Sequence, residues 1–551
     1  MTSLPVFPKR RNLRAVHPCE LRHFGRFNRG ICALCLWLVL LSTTALIVPC
    51  ECEEAQAASQ WILVTILHTN DIHGCVMPKN GLGGLARAAT LIKQARSQMP
   101  NVIVLDAGDI IHGTPEDYLS QGLASISAMN AARYDAATTG NHEYDFGLDV
   151  LEKAISAATF PFLAANVRSV AGDNWNGVVP YVILTVNGVK VGVVGLTTLE
   201  TISLHWPGSI KDIRVEDPLE TAKQVVPTVR ELVDVLVVLS HLGVELDRQL
   251  ASEVPGIDFI VGGHSHTVID RWEWVGDTLI TQTGAYCRAL GRIDFIARKK
   301  SDGKAEIWSV NGKNRCWNDL SRRPLGITYP NGPLLSVDDS IKEDDDVRKA
   351  YLPFRRWADR WLSVQVGYAE DDIPGRQSGQ EESQSANLIA DAVREFTNCD
   401  IAIIDANSIG SRGLAKGPIR VGQLYDLIGG YTRQHIVVAS IRGKELVQAI
   451  EQGFSRKGGV NIGVSGASIQ CRWIDGALRV QSMKIGGAEL DPEKYYTLAA
   501  QAYVMMDIMN VAQDVAVVSE PRETTREALV NYFRAHRHLA APERGRISIV
   551  Q

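Results

Sequence analysis

The sequence predicts an α/β protein, and three observations carry that prediction. Short β-branched runs alternate with segments of helical length from Trp61 to about Ile296. Two of those segments show the apolar spacing of a helix packed on a sheet. Five of the runs end in a cluster of Asp, His or Asn. Strands alternating with helices favour largely parallel pairing. At 551 residues, with 45% hydrophobic and 22% charged side chains, the chain exceeds a single core, so two domains are expected. A net charge of -5 is small for this length and gives no surface that would recruit a nucleic-acid polymer.

The first 58 residues differ from the rest. Lys9, Arg10, Arg11, Arg14, Arg22, Arg26 and Arg29 precede the apolar run Ile31 to Val48, and Ala55-Gln56-Ala57 offers a small-residue cleavage signal. This reads as a secretion signal. The run is also just long enough to span a bilayer, so an uncleaved signal anchor is the competing reading. Either reading puts the mature chain in the periplasm or outside the cell. Beyond the leader, Cys75, Cys287, Cys316, Cys399 and Cys471 are scattered and odd in number. They form no CxxC metal motif and no dense disulfide framework.

The elements follow in order. WILVTIL at Trp61, VIVLDA at 102 to 107, YVILTV at 181 to 186, VKVGVVGL at 189 to 196, DVLVVLS at 234 to 240 and IDFIVGG at 257 to 263 are expected strands. Gly84 to Gln98 and Pro218 to Leu232 are expected helices. Residues 59–337 are assigned to the first domain. The charged patch from Asp338 to Asp346 opens a linker over 338–363, with a helix from Val347 to Trp361 whose acidic start suits the helix dipole. Residues 364–551 form the second domain, with helices at Ser385 to Phe396 and Gly443 to Gln452 and strands at Ile401 to Ile404, His435 to Ser440 and Tyr496 to Ala500.

The polar clusters carry the chemistry. WILVTIL runs into Asp71-x-His73, VIVLDA into Gly108-Asp109, and the run before Thr139 into Asn141-His142-Glu143-Tyr144-Asp145. DVLVVLS ends at His241, and DFIVGG in His264-Ser265-His266. In open α/β sheets the carboxyl ends of strands border the crevice where ligands bind. Residues two apart in an extended segment share a side, so Asp71 and His73 are expected to reach one ion together. A lone Asp or Asn there could be a turn or cap residue, but caps need no histidines. Mixed Asp, His and Asn donors without thiolate suit Zn, Mn, Co or Fe in an open site. The donors exceed what one ion needs, so two divalent ions are expected. His142 and Asp145 remain for catalysis, with Asp145 fixing the tautomer of His142. The alternative is that His142 is itself a ligand.

The motifs TNDIHG, GDIIHGT, GNHEYD, SHLG and GGHSH, in that order and before a second domain, resemble the secreted 5'-nucleotidase family of calcineurin-like metallophosphoesterases. The resemblance implies a two-sheet α/β sandwich joined by a linker helix to a smaller α/β substrate domain. It implies one ion on Asp71, His73, Asp109 and His266 and another on Asp109, Asn141, His241 and His264, with Asp109 bridging. It also implies a His142–Asp145 dyad.

The second domain follows the family less closely. The stretch Glu382 to Ala392 resembles ESxLGNLIADA with Ala386 in the glycine place, and Arg376 lies three residues upstream of the family's arginine. Asn407 and Arg412 survive from an NGGGIR-like loop. The family's stacking phenylalanine falls on Thr432, beside Tyr431, and its second aromatic on Tyr503, followed by Asp507 to Val511 in place of GGDGY. Stacking a base is worth ~1 to 3 kcal/mol, so loss of a ring weakens nucleoside recognition. The resemblance therefore implies hydrolysis of nucleotides or related small phosphate esters. Cyclic-nucleotide phosphodiesterase, UDP-sugar hydrolase and thiosulfohydrolase-like activities are alternatives on the same scaffold. A ligand-binding protein with a vestigial metal site is the reading from another class.

Overall fold

The run Trp61–Thr69 forms a strand inside the first of two facing sheets. Ile62, Val64 and Ile66 pack toward the second sheet, and Leu67 packs toward helices on the opposite face. The computed structural model describes residues 61–173, 175–311, 332–376, 382–429, 434–457 and 459–550. The leader, Cys316, Tyr431 and Thr432 lie outside the described residues.

Among the described residues the first sheet has eight strands. They run in the order Ala305–Val310, Ala289–Lys299, Trp61–Thr69, Val102–Asp106, Ala136–Thr138, Phe162–Leu163 and Val178–Val179, with Leu334–Ser336 paired to Ala289–Lys299. The second has six, in the order Glu273–Val275, Thr278–Thr281, Phe259–Gly262, Val235–His241, Val189–Thr197 and Tyr181–Val186. Val64, Ile66, Leu105, Val193, Val237, Leu239, Val261 and Phe295 fill the space between the sheets. Each such fully buried side chain is worth about 1.5 to 3 kcal/mol in water exclusion. The helices Pro218–Arg230 and Val244–Glu253 cover the outer face of the second sheet.

Parallel pairing dominates the middle of both sheets and sets strand ends level. Thr69 lies opposite Asp106, Ser240 opposite Gly262 and His241 opposite Thr197. The expected alternation of strand and helix fails at Tyr181–Val186 and Val189–Thr197, which pair antiparallel as a hairpin. Only Asn187 and Gly188 separate them, with φ of 49° and 80°, the pair of left-handed residues that a type I′ turn requires.

His68 sits on the first strand, fully buried against the backbone of Gly291, and neither of its ring nitrogens has a hydrogen-bond partner. Burial pushes its pKa down to about 3.

Helix boundaries shift by a few residues from the expected ones. The first helix is Leu85–Gln98, with Gly84 outside it, and the second expected helix ends at Arg230. The expected helix Val347 to Trp361 runs from Asp345 to Leu362, because the Asp344 carboxylate accepts from the amides of Asp346 and Val347 at 2.9 and 3.1 Å and so starts it earlier. It is not solvated all round. It buries Val347, Tyr351, Phe354 and Ala358, and Arg355 pairs with Glu116 at 2.8 Å.

A mixed five-stranded sheet follows, in the order Ile462–Ser465, Ile401–Asp405, Tyr495–Gln501, Ile436–Arg442 and Val515–Ser519. Helix Gln384–Thr397 covers one face, and Gly443–Lys457 packs in the cluster on the other. Arg526 is fully buried, its guanidinium 5.1 Å from the Tyr118 ring and 5.8 Å from the Tyr425 ring.

Candidate active site

The first two parallel strands continue their pairing past the sheet. The amides of Asp71, His73 and Gly74 donate to the carbonyls of Gly108, Asp109 and Ile110 at 2.9, 2.9 and 3.0 Å. The segment holding Asp71 and His73 is not extended, contrary to expectation. Asp71 has φ 51° and His73 φ 48°, and Asp109, His264 and His266 are also left-handed at 57°, 74° and 52°. The two side chains still converge, with Asp71 Oδ1 3.7 Å from His73 Nε2. A left-handed residue other than glycine costs roughly 1 to 2 kcal/mol, and Asn, Asp and His tolerate it best.

Buried acceptors hold these loops. Asn70 Oδ1 accepts from the amide and hydroxyl of Thr283 at 2.9 and 2.7 Å, and its side-chain amide donates to Asp71 and Gly284. The Glu143 carboxylate, fully buried, accepts from the amides of Asp109, Ile110 and Gly140. Sequence reasoning missed Glu143, although it sits inside the GNHEYD motif, because its partners are amides of another loop.

Besides the all-histidine group His73, His112 and His142, two mixed groups of donors result. Asp71, His73 and His266 form one, with the two imidazole Nε2 atoms 2.8 Å apart and His266 Nε2 3.3 Å from Asp71 Oδ1. Asp109, His241 and His264 form the other, with His241 Nε2 3.1 Å from Asp109 Oδ2. Asn141 joins the second group, its Oδ1 3.0 Å from His264 Nδ1. It makes no capping bond to the short helix His142–Tyr144. His241 Nδ1 meets the carbonyl of Ala107 at 2.7 Å, which leaves Nε2 to face Asp109. Glu200 lies 3.1 Å from His264 Nε2 and is a further residue that sequence reasoning missed.

His142 Nδ1 lies 2.9 Å from Asp145 Oδ2, and its amide donates to Asp109 Oδ1 at 2.9 Å. Burial alone would lower the His142 pKa, but the carboxylates of Asp145 and Asp109 hold it up at about 9. Behind the pair, His205 Nε2 lies 3.0 Å from Asp145 Oδ1, and its Nδ1 lies 2.8 Å from the carbonyl of Thr201. The three side chains form one line, His205–Asp145–His142. The His112 ring lies against His142, with centroids 3.7 Å apart.

These groups open on a cavity of about 850 Å³, lined among others by His73, Asp109, Asn141, His142, His264 and His266. Four of the substrate residues expected from the second domain are among the described residues, and none of them lines this cavity. Asn407 Nδ2 donates to Asp405 at 3.0 Å, and the Tyr503 hydroxyl reaches Gln501 and Asp405 at 3.1 and 3.4 Å. Arg376 and Arg412 are exposed on adjoining loops, joined where the Arg376 amide donates to the carbonyl of Gly410 at 2.8 Å. Among the described residues none of these four side chains bonds to a residue of the metal-donor groups.

The calcineurin-like phosphoesterase family model matches residues 64–268, and the 5'-nucleotidase C-terminal domain model matches residues 365–513. The trifunctional nucleotide phosphoesterase protein YfkN of Bacillus subtilis is 31% identical over 436 residues, which is 71% of this chain and 28% of that protein. Human 5'-nucleotidase is 31% identical over 359 residues, 61% of this chain and 60% of that enzyme. The chain thus spans less than two thirds of the length of these two relatives. The crystal structure of a 5'-nucleotidase precursor from Thermus thermophilus superposes with a TM-score of 0.60 at 25% identity, covering 89% of this chain and 100% of that one.

Facing α/β sheets with histidine and aspartate gathered at their strand ends define a calcineurin-like metallophosphoesterase. Residues 64–268 carry the calcineurin-like phosphoesterase domain, and residues 365–513 the 5'-nucleotidase C-terminal domain. The class uses divalent metals, and the donors here fit them. His241 Nε2 is buried without a hydrogen-bond partner and lies 3.1 Å from Asp109 Oδ2. Nitrogen and carboxylate lone pairs thus converge on the same small spaces, an arrangement that a cation relieves.

Proposed function

We propose that the protein is a dinuclear metal-dependent phosphoester hydrolase acting on nucleotides or related small phosphate esters. The observation that carries this reading is that residues of both donor groups and His142, which Asp145 engages from behind, open onto one cavity. Asp71, His73, Asp109 and His266 would hold one ion and Asp109, Asn141, His241 and His264 the other, with the Asp109 carboxylate shared. Bound divalent ions supply Lewis acidity, acidifying water and drawing charge from phosphoryl oxygens.

The protein's own groups do the rest. Asp145 engages His142 Nδ1, so Nε2 is the nitrogen left for the cavity. A proton held there is donated to a phosphoryl or leaving-group oxygen as the ester bond breaks. Positioned proton transfer of this kind contributes typically 10²- to 10⁴-fold. Asp145 stays ionised, because His142 and His205 hold its carboxylate well below the usual range despite burial. Arg376 and Arg412, exposed and without carboxylate partners among the described residues, suit a phosphate or its ester. Tyr503 and Tyr431 are assigned to the organic part of the substrate. Residues 1–58 are assigned to export into the periplasm or beyond, on their composition alone.

The test is an assay of the purified chain with Mn, Co or Zn against an aryl phosphate. Chelator-sensitive turnover that His142→Ala lowers by about 10²-fold or more supports the reading. Absence of turnover with every metal, with His142→Ala indistinguishable from the parent, overturns it.

A further inference from the structure

The cavity at the candidate metal centre has a second wall that the proposed hydrolysis does not use. Lys79, Tyr286 and Arg288 line it together with His73 and His266. Among the described residues neither the Lys79 ammonium nor the Arg288 guanidinium has a hydrogen-bond or ion-pair partner. Both side chains line the same cavity, together with Cys75.

The backbone around them is held in place. Lys79 and Leu82 exchange two backbone hydrogen bonds of 3.0 and 3.1 Å, across Asn80 and Gly81 with φ of 54° and 78°. That is a type I′ turn, the two-residue connection common in hairpins. Arg87 donates to the carbonyl of Gly81 at 2.7 Å and anchors the turn. On the other side, the amide of Tyr286 donates to the carbonyl of Asp71 at 2.8 Å, and the amide of Val337 to the carbonyl of Arg288 at 3.1 Å. Tyr286 is thereby locked to the loop that carries Asp71. Its ring lies 5.5 Å from the His73 ring, and the Arg288 guanidinium stands over it at 5.5 Å.

Two unpaired cations facing a cavity require an anion or remain in water. A cavity of about 850 Å³ is far larger than one phosphoryl group needs, and lies in the range that accommodates a whole small ligand. We propose that Lys79 and Arg288 form a second anion subsite, which takes the phosphate adjoining the scissile one, so that the preferred substrates contain a phosphoanhydride. Arg288 offers the bidentate fork suited to a phosphate and Lys79 a point charge. Tyr286 holds the guanidinium in place from below. This inference rests on the hydrolase reading above and narrows its substrate class.

The experiment compares ADP with AMP on the metal-loaded full chain, because the pair differs only in the second phosphate. The readout is the ratio of kcat/KM for ADP to that for AMP. The parent should favour ADP, and each of Lys79→Ala and Arg288→Ala should lower the ratio roughly tenfold to a hundredfold, the double variant further, with Arg288→Lys retaining part. A ratio unchanged in the double variant, or AMP and ADP falling in step, overturns the subsite while leaving the hydrolase reading intact. If the parent turns over neither nucleotide, the hydrolase reading is decided by the aryl phosphate assay above. The subsite is then decided by calorimetry with inorganic pyrophosphate against inorganic phosphate. A parental preference for pyrophosphate lost in the double variant supports it, and no preference, or one that persists, overturns it.

Discussion

His205 Nε2 stands 3.0 Å from Asp145 Oδ1, on the carboxylate oxygen that His142 does not use. The Asp145 carboxylate is thus gripped from both sides, and the orientation of His142 depends on a residue 60 positions from Asp145 in the chain. His205→Ala should lower kcat about tenfold to a hundredfold, by analogy with outer partners of metal-site histidines, with KM little changed. His205→Gln, which can still donate to Asp145, should restore part of the loss. An equal loss in both variants, with a lowered melting temperature, would mean that His205 serves stability alone.

Glu143→Gln replaces an all-acceptor carboxylate by a group that turns one amine toward backbone amides. The amides of Asp109 and Ile110 now donate to it at 3.0 and 2.7 Å. Losing one charged acceptor should cost roughly 2 to 3 kcal/mol and weaken metal binding about tenfold to a hundredfold. Chemical denaturation and metal titration of the purified variant read the two effects separately.

Gly140 has no room for a side chain. A Cβ there would lie 2.2 Å from Asp109 Oδ1 and 2.7 Å from His241 Cε1. Gly140→Ala must therefore push apart two candidate ligands of one ion. The expected outcome is a protein with unchanged far-ultraviolet circular dichroism that binds Mn or Zn at least tenfold more weakly, and parental metal affinity would contradict it.

His68 supplies an acid sensitivity unconnected with turnover. Its folded pKa is about 3, against an ordinary value of 6.5. The unfolded chain therefore takes up a proton below pH 6.5 that the folded chain refuses. Stability present at neutral pH is lost as pH falls from 6.5 toward 3, with a limiting slope of about 1.4 kcal/mol per pH unit from this group. Denaturant midpoints measured between pH 7 and 4 should fall more steeply in the parent than in His68→Asn.

Much of the first half was legible in the residues. The strand runs and the five polar clusters at their ends are local features, and hydrophobic alternation with β-branched residues announces them without any knowledge of partners. The donor groups follow, since parallel strands in register bring their ends level. What was not legible is whatever depends on loops meeting. The left-handed backbone at Asp71 and His73, the grip of His205 on Asp145 and the reach of Glu200 to His264 each need a neighbour distant in sequence. The hairpin at Asn187-Gly188 is different, because its Asn-Gly turn signal is local and stands in the sequence. In the second half, Arg376 and Arg412 were found by motif alone, and the placement of Tyr431 lies outside the described residues.

The left-handed backbone at five of the seven candidate ligands acts as a filter on what can replace them. Aspartate, asparagine, histidine and glycine occupy that conformation at low cost, whereas β-branched and bulky side chains do not. A copy of this site drifting free of selection would lose its ions first and its backbone later. Its decay would pass through asparagine and glycine at positions 71, 73, 109, 264 and 266, so that the ghost of the centre would remain readable in a descendant no longer able to bind metal.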